Sequence, residues 1–243
     1  MTQNKLSTAE QVYADLRALI LNGTLRAAQN LRATALKNEY GFGLTPLREA
    51  LNRLNTEHLV VSNFNQGFRV ADISLSELED LGRTRILLET AMLTEAMERG
   101  DDAWESAIVA AHYQLGKLDP PSYDADDAAM TLWEQRHEAF HEALFSTCQS
   151  PWLRRLANTI DAQRKRYHRN ILLGVGEMAQ SDLCNVVNAR LAQIMGLQPH
   201  TELMEAVLAR DIERACTLQT KHVALTSEAY LSIKKLLNEQ RAA

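Results

Sequence analysis

Only two short stretches of this chain are rich in strand-forming residues, Leu59–Ser62 and Phe68–Ala71, and they are joined through Asn65-Gln66-Gly67. Two such runs around a turn bearing Asn and Gly predict a hairpin. Elsewhere the apolar residues recur with helical period. The breaks between segments fall at Gly100-Asp101, Asp119-Pro120-Pro121, Ser150-Pro151, Gly174–Gly176 and Gln198-Pro199. A chain with one hairpin and no other convincing strand cannot build its core on a sheet, so the fold class is mainly α.

Three helices precede the hairpin. Val12, Leu16, Leu19 and Ile20 mark an amphipathic helix from about Ser7, capped by Ser7 or Thr8 and ending near Asn22-Gly23. The run "ATALKNEYG" reads as a short second helix stopped by Gly41. In "GLTPLREALNRLNTEHLVV", Thr45 is an N-cap candidate, and Pro46 suits the first helical position, where no N–H is needed. Leu47, Ala50, Leu51 and Leu54 form its apolar stripe, with Arg48, Asn52 and Asn55 on the opposite face. Arg48 stands at the third helical position, where a capping box would place Glu, so a cation opposes the helix dipole. Its partner is expected outside the helix. Three helices and a hairpin make a winged helix-turn-helix over residues 1–71, with the hairpin as the wing.

Residues 72–76 read as a linker in which Ser74 or Ser76 caps the next helix. Residues 77–232 then form an all-helical domain, and residues 233–243 a C-terminal tail. A composition of 46% hydrophobic and 23% charged residues is globular. No apolar run approaches membrane-spanning length, and "MTQNKLSTAEQ" lacks the basic start and apolar stretch of a signal peptide. A soluble, cytoplasmic protein with no membrane partner is expected. Cys148, Cys184 and Cys216 are odd in number and form no CxxC, which argues against a disulfide framework or thiolate zinc site; they read as buried small residues. The net charge of −5 divides unevenly, because residues 1–71 hold eight Lys and Arg against five Asp and Glu. A mildly basic module joined to an acidic body suggests two domains with different partners.

Tyr13, Leu16, Ile20, Thr45-Pro46-Leu47-Arg48-Glu49-Ala50-Leu51, Leu54, Leu59-Val60, Gly67 and Val70 together carry a specific pattern. On these residues the chain resembles the GntR family of bacterial transcription regulators. The segments "RILLE", "HEAFH" and "HTELMEAVLARD…KH" extend the resemblance to the FadR-like subfamily with an FCD effector domain. The resemblance implies that the third helix enters the DNA major groove. Arg48 would then donate to guanine, Thr45 and the helix amides would meet phosphate, Asn52 would touch base or backbone, and Gly67 would let the wing approach the minor groove. On the residues alone, Arg48 also reads as a solvated surface residue and Gly67 as a turn residue. Gly43-Leu44 replaces the family's Ser-Arg before Thr-Pro, and Ala28-Gln29 or its neighbours replace its Pro-Gly. An altered or relaxed base preference follows, and the family's operator consensus does not carry over.

His137 and His141 stand at i and i+4 of one helix, and His200 and His222 lie on two others, so four imidazoles can converge inside a bundle. The resemblance implies that these positions hold a divalent metal ion, with His137 where the family has Asp. An all-imidazole set suits Zn²⁺ or Ni²⁺, leaves the +2 charge uncompensated and calls for an anionic effector. "HEAFH" is also a literal H-E-x-x-H, which taken alone suggests a zinc metallopeptidase using Glu138 as general base. Leu144 and Thr147 stand where the metzincin extension needs Gly and His, and a DNA-binding module precedes the motif. His58, His112 and His168 read as surface or packing residues, and Trp104, Trp133 and Trp152 as packing residues.

The resemblance also implies that Arg85 points into a ligand cavity, where its guanidinium would clamp the far end of a small carboxylate. The bland alternative pairs it with Glu89 at i+4. Arg164, Arg166 and Tyr167 are further candidates whose facing the sequence leaves open. The expected protein is not an enzyme. It is a ligand-responsive repressor and homodimer that binds double-stranded operator DNA and a small carboxylate effector. A nonspecific architectural DNA-binding protein is the alternative outside enzymology, and the net charge argues against it.

Overall fold

A computed structural model describes residues 8–63, 67–122, 124–178 and 181–242. The element order is α1 (Thr8–Leu21), β1 (Asn30–Leu31), α2 (Ala33–Tyr40), α3 (Leu44–Thr56), β2 (Val60–Asn63), β3 (Gly67–Val70), α4 (Leu75–Arg99), α5 (Asp102–Leu115), α6 (Asp127–Phe145), α7 (Pro151–Met178), α8 (Ser181–Met195), α9 (Leu197–Leu208) and α10 (Ile212–Ala242). The chain is mainly α, as its periodicity predicts. It divides into two compact units. One is residues 1–77 with Asp161–Asn170 of α7, and the other is the remainder.

In the first unit, Leu16 and Ile20 of α1 pack with Leu47, Ala50, Leu51 and Leu54 of α3, all 0–2% exposed. The predicted apolar stripe of α3 is its buried face. The hairpin also forms, with β2 and β3 paired from Val60 opposite Val70 to Asn63 opposite Gly67. Gly67 has φ +82°, a left-handed conformation that favours glycine. Asn65 and Gln66, named for the turn, and Ser7, named as a cap, lie outside the described residues. A third strand was not expected from the sequence: β1 pairs with the other edge of β3, Asn30 opposite Arg69. At two residues it carries no alternating pattern to read.

The start of α3 differs from expectation. Gly43, with extended φ −68° and ψ 143°, is the N-cap, and the helix begins at Leu44, so Thr45 is not the cap and Arg48 lies one turn in. Pro46 tolerates the shift because none of the first-turn N–H groups has an intrahelical acceptor. The Asp161–Asn170 segment contributes polar anchors to this unit. Arg166, wholly buried, donates Nη1 to the carbonyls of Ala71 at 2.6 Å and Asp72 at 3.0 Å, and Gln163 Nε2 donates to Glu57 O at 2.8 Å. Tyr167 OH donates to Glu77 and accepts from Ser74 N at 3.2 Å.

Among the described residues of the second unit, every regular element is a helix. Ser74, just before it, caps α4 by accepting from Glu77 N at 3.1 Å. Asp101 and Asp126 cap α5 and α6 through Trp104 N at 2.9 Å and Ala129 N at 2.7 Å. Each such bond contributes about 1 kcal/mol to its helix. Gly174 and Gly176 do not break α7, because buried Ile171, Leu172 and Val175 offset a glycine cost of about 1 kcal/mol per residue. The expected tail at 233–243 is helical through Ala242, since Ile233 and Leu237 continue the apolar stripe of α10 at i and i+4. Cys148 is buried, whereas Cys184 and Cys216 are half-buried. Trp152, expected to pack inside, is 67% exposed, with the Arg155 guanidinium over its ring.

Candidate metal centre and candidate nucleic-acid interface

Three helices of the second unit bring the four histidines together. His137 and His141 rise from successive turns of α6, His200 from the first turn of α9 and His222 from α10. One nitrogen from each lies within 4.8 Å of the other three, and the facing Nε2 atoms of His137 and His141 are 3.2 Å apart. His141, His200 and His222 are buried, and His137 is half-buried with its ring stacked on Trp133 at 4.7 Å. His200 donates from Nδ1 to the Gly196 carbonyl at 2.9 Å, a contact only the Nδ1–H tautomer makes. Its Nε2 therefore carries a lone pair.

The electrostatics favour the neutral form of His141 and His200. Burial pushes His200 down to about 4, and burial with the neighbouring histidines holds His141 well below the ordinary range. His200 Nε2 and His141 Nδ1 are buried with no hydrogen-bond partner among the described residues. Imidazoles converging from three helices, His141 and His200 each with a buried nitrogen that has no partner among the described residues, are the donor set a borderline divalent ion requires. Coordination at about 2.0–2.1 Å sets adjacent ligand nitrogens roughly 3 Å apart, and an ion with more than four positions keeps room for a further ligand. The spacing found here needs only small side-chain adjustments, so the residues fit such an ion.

Arg85 of α4 is 8% exposed and donates Nε to Glu89 Oε1 at 2.7 Å, the pairing that i,i+4 spacing allows. It also lies close enough to His141 for its charge to disfavour the imidazolium. The ion pair and the position beside the cluster thus coexist. Glu89 Oε2 further accepts from Gln219 Nε2 at 2.5 Å. Gln219 was not anticipated, though its place three residues before His222 put it on the same face of α10. Arg166 and Tyr167 belong to the anchors of the first unit. Arg164 pairs with Asp161 at 2.5 Å.

The H-E-x-x-H pair is absorbed into this four-histidine cluster. His112 is not one of the four converging residues, and its Nε2 is 2.9 Å from Thr201 Oγ1. His58 is exposed, whereas His168 is buried with Nδ1 3.3 Å from Arg164.

The first unit gathers the other predicted residues. Thr45, Arg48, Asn52 and Gly67 line one open concavity of about 750 Å³, together with Arg32 and Thr34 at the start of α2. Thr45, Arg48, Asn52 and Gly67 are all exposed. Among the described residues Arg48 forms no salt bridge, so its exposed guanidinium has no carboxylate partner among them. Arg32 and Thr34 were not anticipated, because their nearness to α3 depends on how α2 packs.

Residues 8–70 match the profile of the bacterial regulatory proteins of the gntR family, and residues 80–225 match the FCD domain. The chain is 33% identical over 220 residues to the HTH-type transcriptional regulator BphR of Paraburkholderia xenovorans, spanning 90% of this chain and 84% of that protein. It is 33% identical over 215 residues to the HTH-type transcriptional repressor GlaR of Escherichia coli, spanning 87% and 90% of the two. A solved GntR transcriptional regulator from Rhodococcus shares the fold, with a TM-score of 0.67 at 19% identity over 93% of this chain and 99% of that one.

Proposed function

Given that this chain belongs to the GntR family of bacterial regulatory proteins with an FCD domain, which are DNA-binding transcription regulators and not enzymes, we propose that it is a metal-dependent, carboxylate-responsive repressor. The observation that carries the effector reading is the set of four converging histidines, with one buried nitrogen each on His141 and His200 lacking a partner among the described residues, and Arg85 beside them. His137, His141, His200 and His222 would hold Zn²⁺ or Ni²⁺, which would supply a positive anchor for one carboxylate. Arg85 would orient the other end of the ligand through its planar guanidinium, with Glu89 holding the Nε edge in place. The repressor assignment takes support from the relative named as one.

For DNA, a homodimer would present two copies of α3 to an inverted repeat about one helical turn apart. Arg48 would read base edges, Thr45 and Asn52 would fix the register, and Gly67 would bring the wing backbone close. A ligand releases DNA only by binding the DNA-incompetent state more tightly, and the operator must then weaken ligand binding by the same factor. Elemental analysis, followed by calorimetry of small carboxylates on loaded and stripped protein, tests the effector half. About one ion per chain and carboxylate affinity only when loaded is the expected result. Fluorescence anisotropy on genomic fragments tests the other half, and equal affinity for selected and random DNA would point instead to an architectural protein.

A further inference from the structure

Gln219 and His222 stand at i and i+3 of α10, on one face of the helix. The Gln219 side chain is 0% exposed. Its Nε2 donates to Glu89 Oε2 at 2.5 Å, while Glu89 Oε1 accepts from Arg85 Nε at 2.7 Å. An ionised carboxylate can only accept, so Glu89 dictates which way the amide is turned. The amide group must face it with nitrogen, which leaves Oε1 to look elsewhere. That oxygen is buried and meets no hydrogen-bond donor among the described residues. Buried acceptors are rarely left without a donor, because their lost hydration is then uncompensated.

The surroundings say what kind of donor is missing. Arg85 is bridged to Gln219 through Glu89, and His222 lies one turn away along α10. Arg85 is a fixed cation and a bound divalent ion would add charge, so a cationic ammonium donor is disfavoured. A neutral hydroxyl satisfies the acceptor without that conflict. We propose that Gln219 is a specificity-determining residue whose Oε1 accepts a hydrogen bond from a hydroxyl of the effector, which makes the effector a hydroxycarboxylate. The inference rests on the carboxylate reading above and narrows it.

Calorimetry on the metal-loaded full chain, with matched pairs differing by one hydroxyl, tests it. Malate is compared with succinate, and lactate with propionate. The hydroxy acid is expected to bind about tenfold more tightly or better, because its partner leaves Oε1 unsatisfied. Gln219→Met should remove that preference by weakening the hydroxy acid more than the plain acid. Gln219→Asn, which keeps the amide on a shorter side chain, should also lose preference, and it guards against a Met variant that does not fold. Equal affinities within the wild-type pairs overturn the proposal, as does a preference that survives in both variants. Alanine gaining over propionate as much as lactate does would overturn the hydroxyl assignment. If no member of the panel binds, the carboxylate reading itself has failed, a result distinct from equal binding.

Discussion

His200 Nδ1 lies 2.9 Å from the carbonyl oxygen of Gly196, the N-cap of its own helix. This bond sets the tautomer and anchors the ring, so the other nitrogen keeps its lone pair for the cluster. Backbone-anchored histidines are the usual form of a metal ligand. If the cluster holds an ion at about a thousand times its dissociation constant, binding contributes about 4 kcal/mol to folding. For a chain of this size, roughly 2–4 °C per kcal/mol then predicts that chelation lowers Tm by roughly 10 °C. His200→Ala and His222→Ala should each lose the ion, while His112→Ala should keep it. An unchanged melting curve after chelation, with no metal found in the untreated protein, would remove the ion from the picture.

Arg166 should be among the most sensitive positions of the first unit. Its guanidinium satisfies the Ala71 and Asp72 carbonyls and bonds Gln163 Oε1 at 3.1 Å, all without solvent exposure. Arg166→Leu strips two backbone acceptors and should cost about 2–4 kcal/mol. The exposed Arg83, paired with Asp80 at 2.8 Å, provides the contrast: Arg83→Leu should leave stability close to wild type. Urea unfolding of both variants measures the difference. Similar midpoints would mean that the buried anchors contribute no more than a surface pair.

Arg48→Ala should leave the fold intact, because the side chain is exposed and without a salt bridge among the described residues. One lost base contact is worth about 1–3 kcal/mol, so affinity for a selected operator should fall roughly 5- to 150-fold per half-site. Affinity for random DNA should fall much less. Anisotropy titrations at several salt concentrations separate the two, and an equal loss on both DNAs would reassign Arg48 to the phosphate backbone.

The sequence was most legible where one short segment carried its own pattern. Leu47, Ala50, Leu51 and Leu54 announced the buried face of α3, and two β-rich runs announced the hairpin. His137 and His141 were visible because i,i+4 spacing places them together without reference to the rest of the fold. What escaped depended on distant partners. The two residues of β1 gain their meaning only from Phe68 and Arg69 of β3. Gln219 depends on Glu89, 130 residues away, and an amide carries no spacing signature of its own. Gly174 and Gly176 misled for the same reason, since the packing that holds α7 together across them comes from other helices.

Arg85 offers the test that separates ligand sensing from DNA binding. Arg85→Ala would strand the Glu89 carboxylate, which is only 14% exposed, and leaving a buried charge unpaired typically costs about 3–5 kcal/mol. Arg85→Lys is the better probe. An ammonium can keep the pairing with Glu89 but lacks the planar fork that engages a carboxylate through two parallel bonds. Metal content and operator affinity should therefore match wild type, while carboxylate affinity drops about tenfold or more and release of DNA shifts to correspondingly higher ligand concentration. Linkage adds an internal control, because any factor by which the ligand weakens operator binding must reappear when ligand affinity is measured on the DNA complex. Wild-type ligand response in Arg85→Lys would leave Arg85 as the structural partner of Glu89 and place recognition of the ligand's far end on other residues.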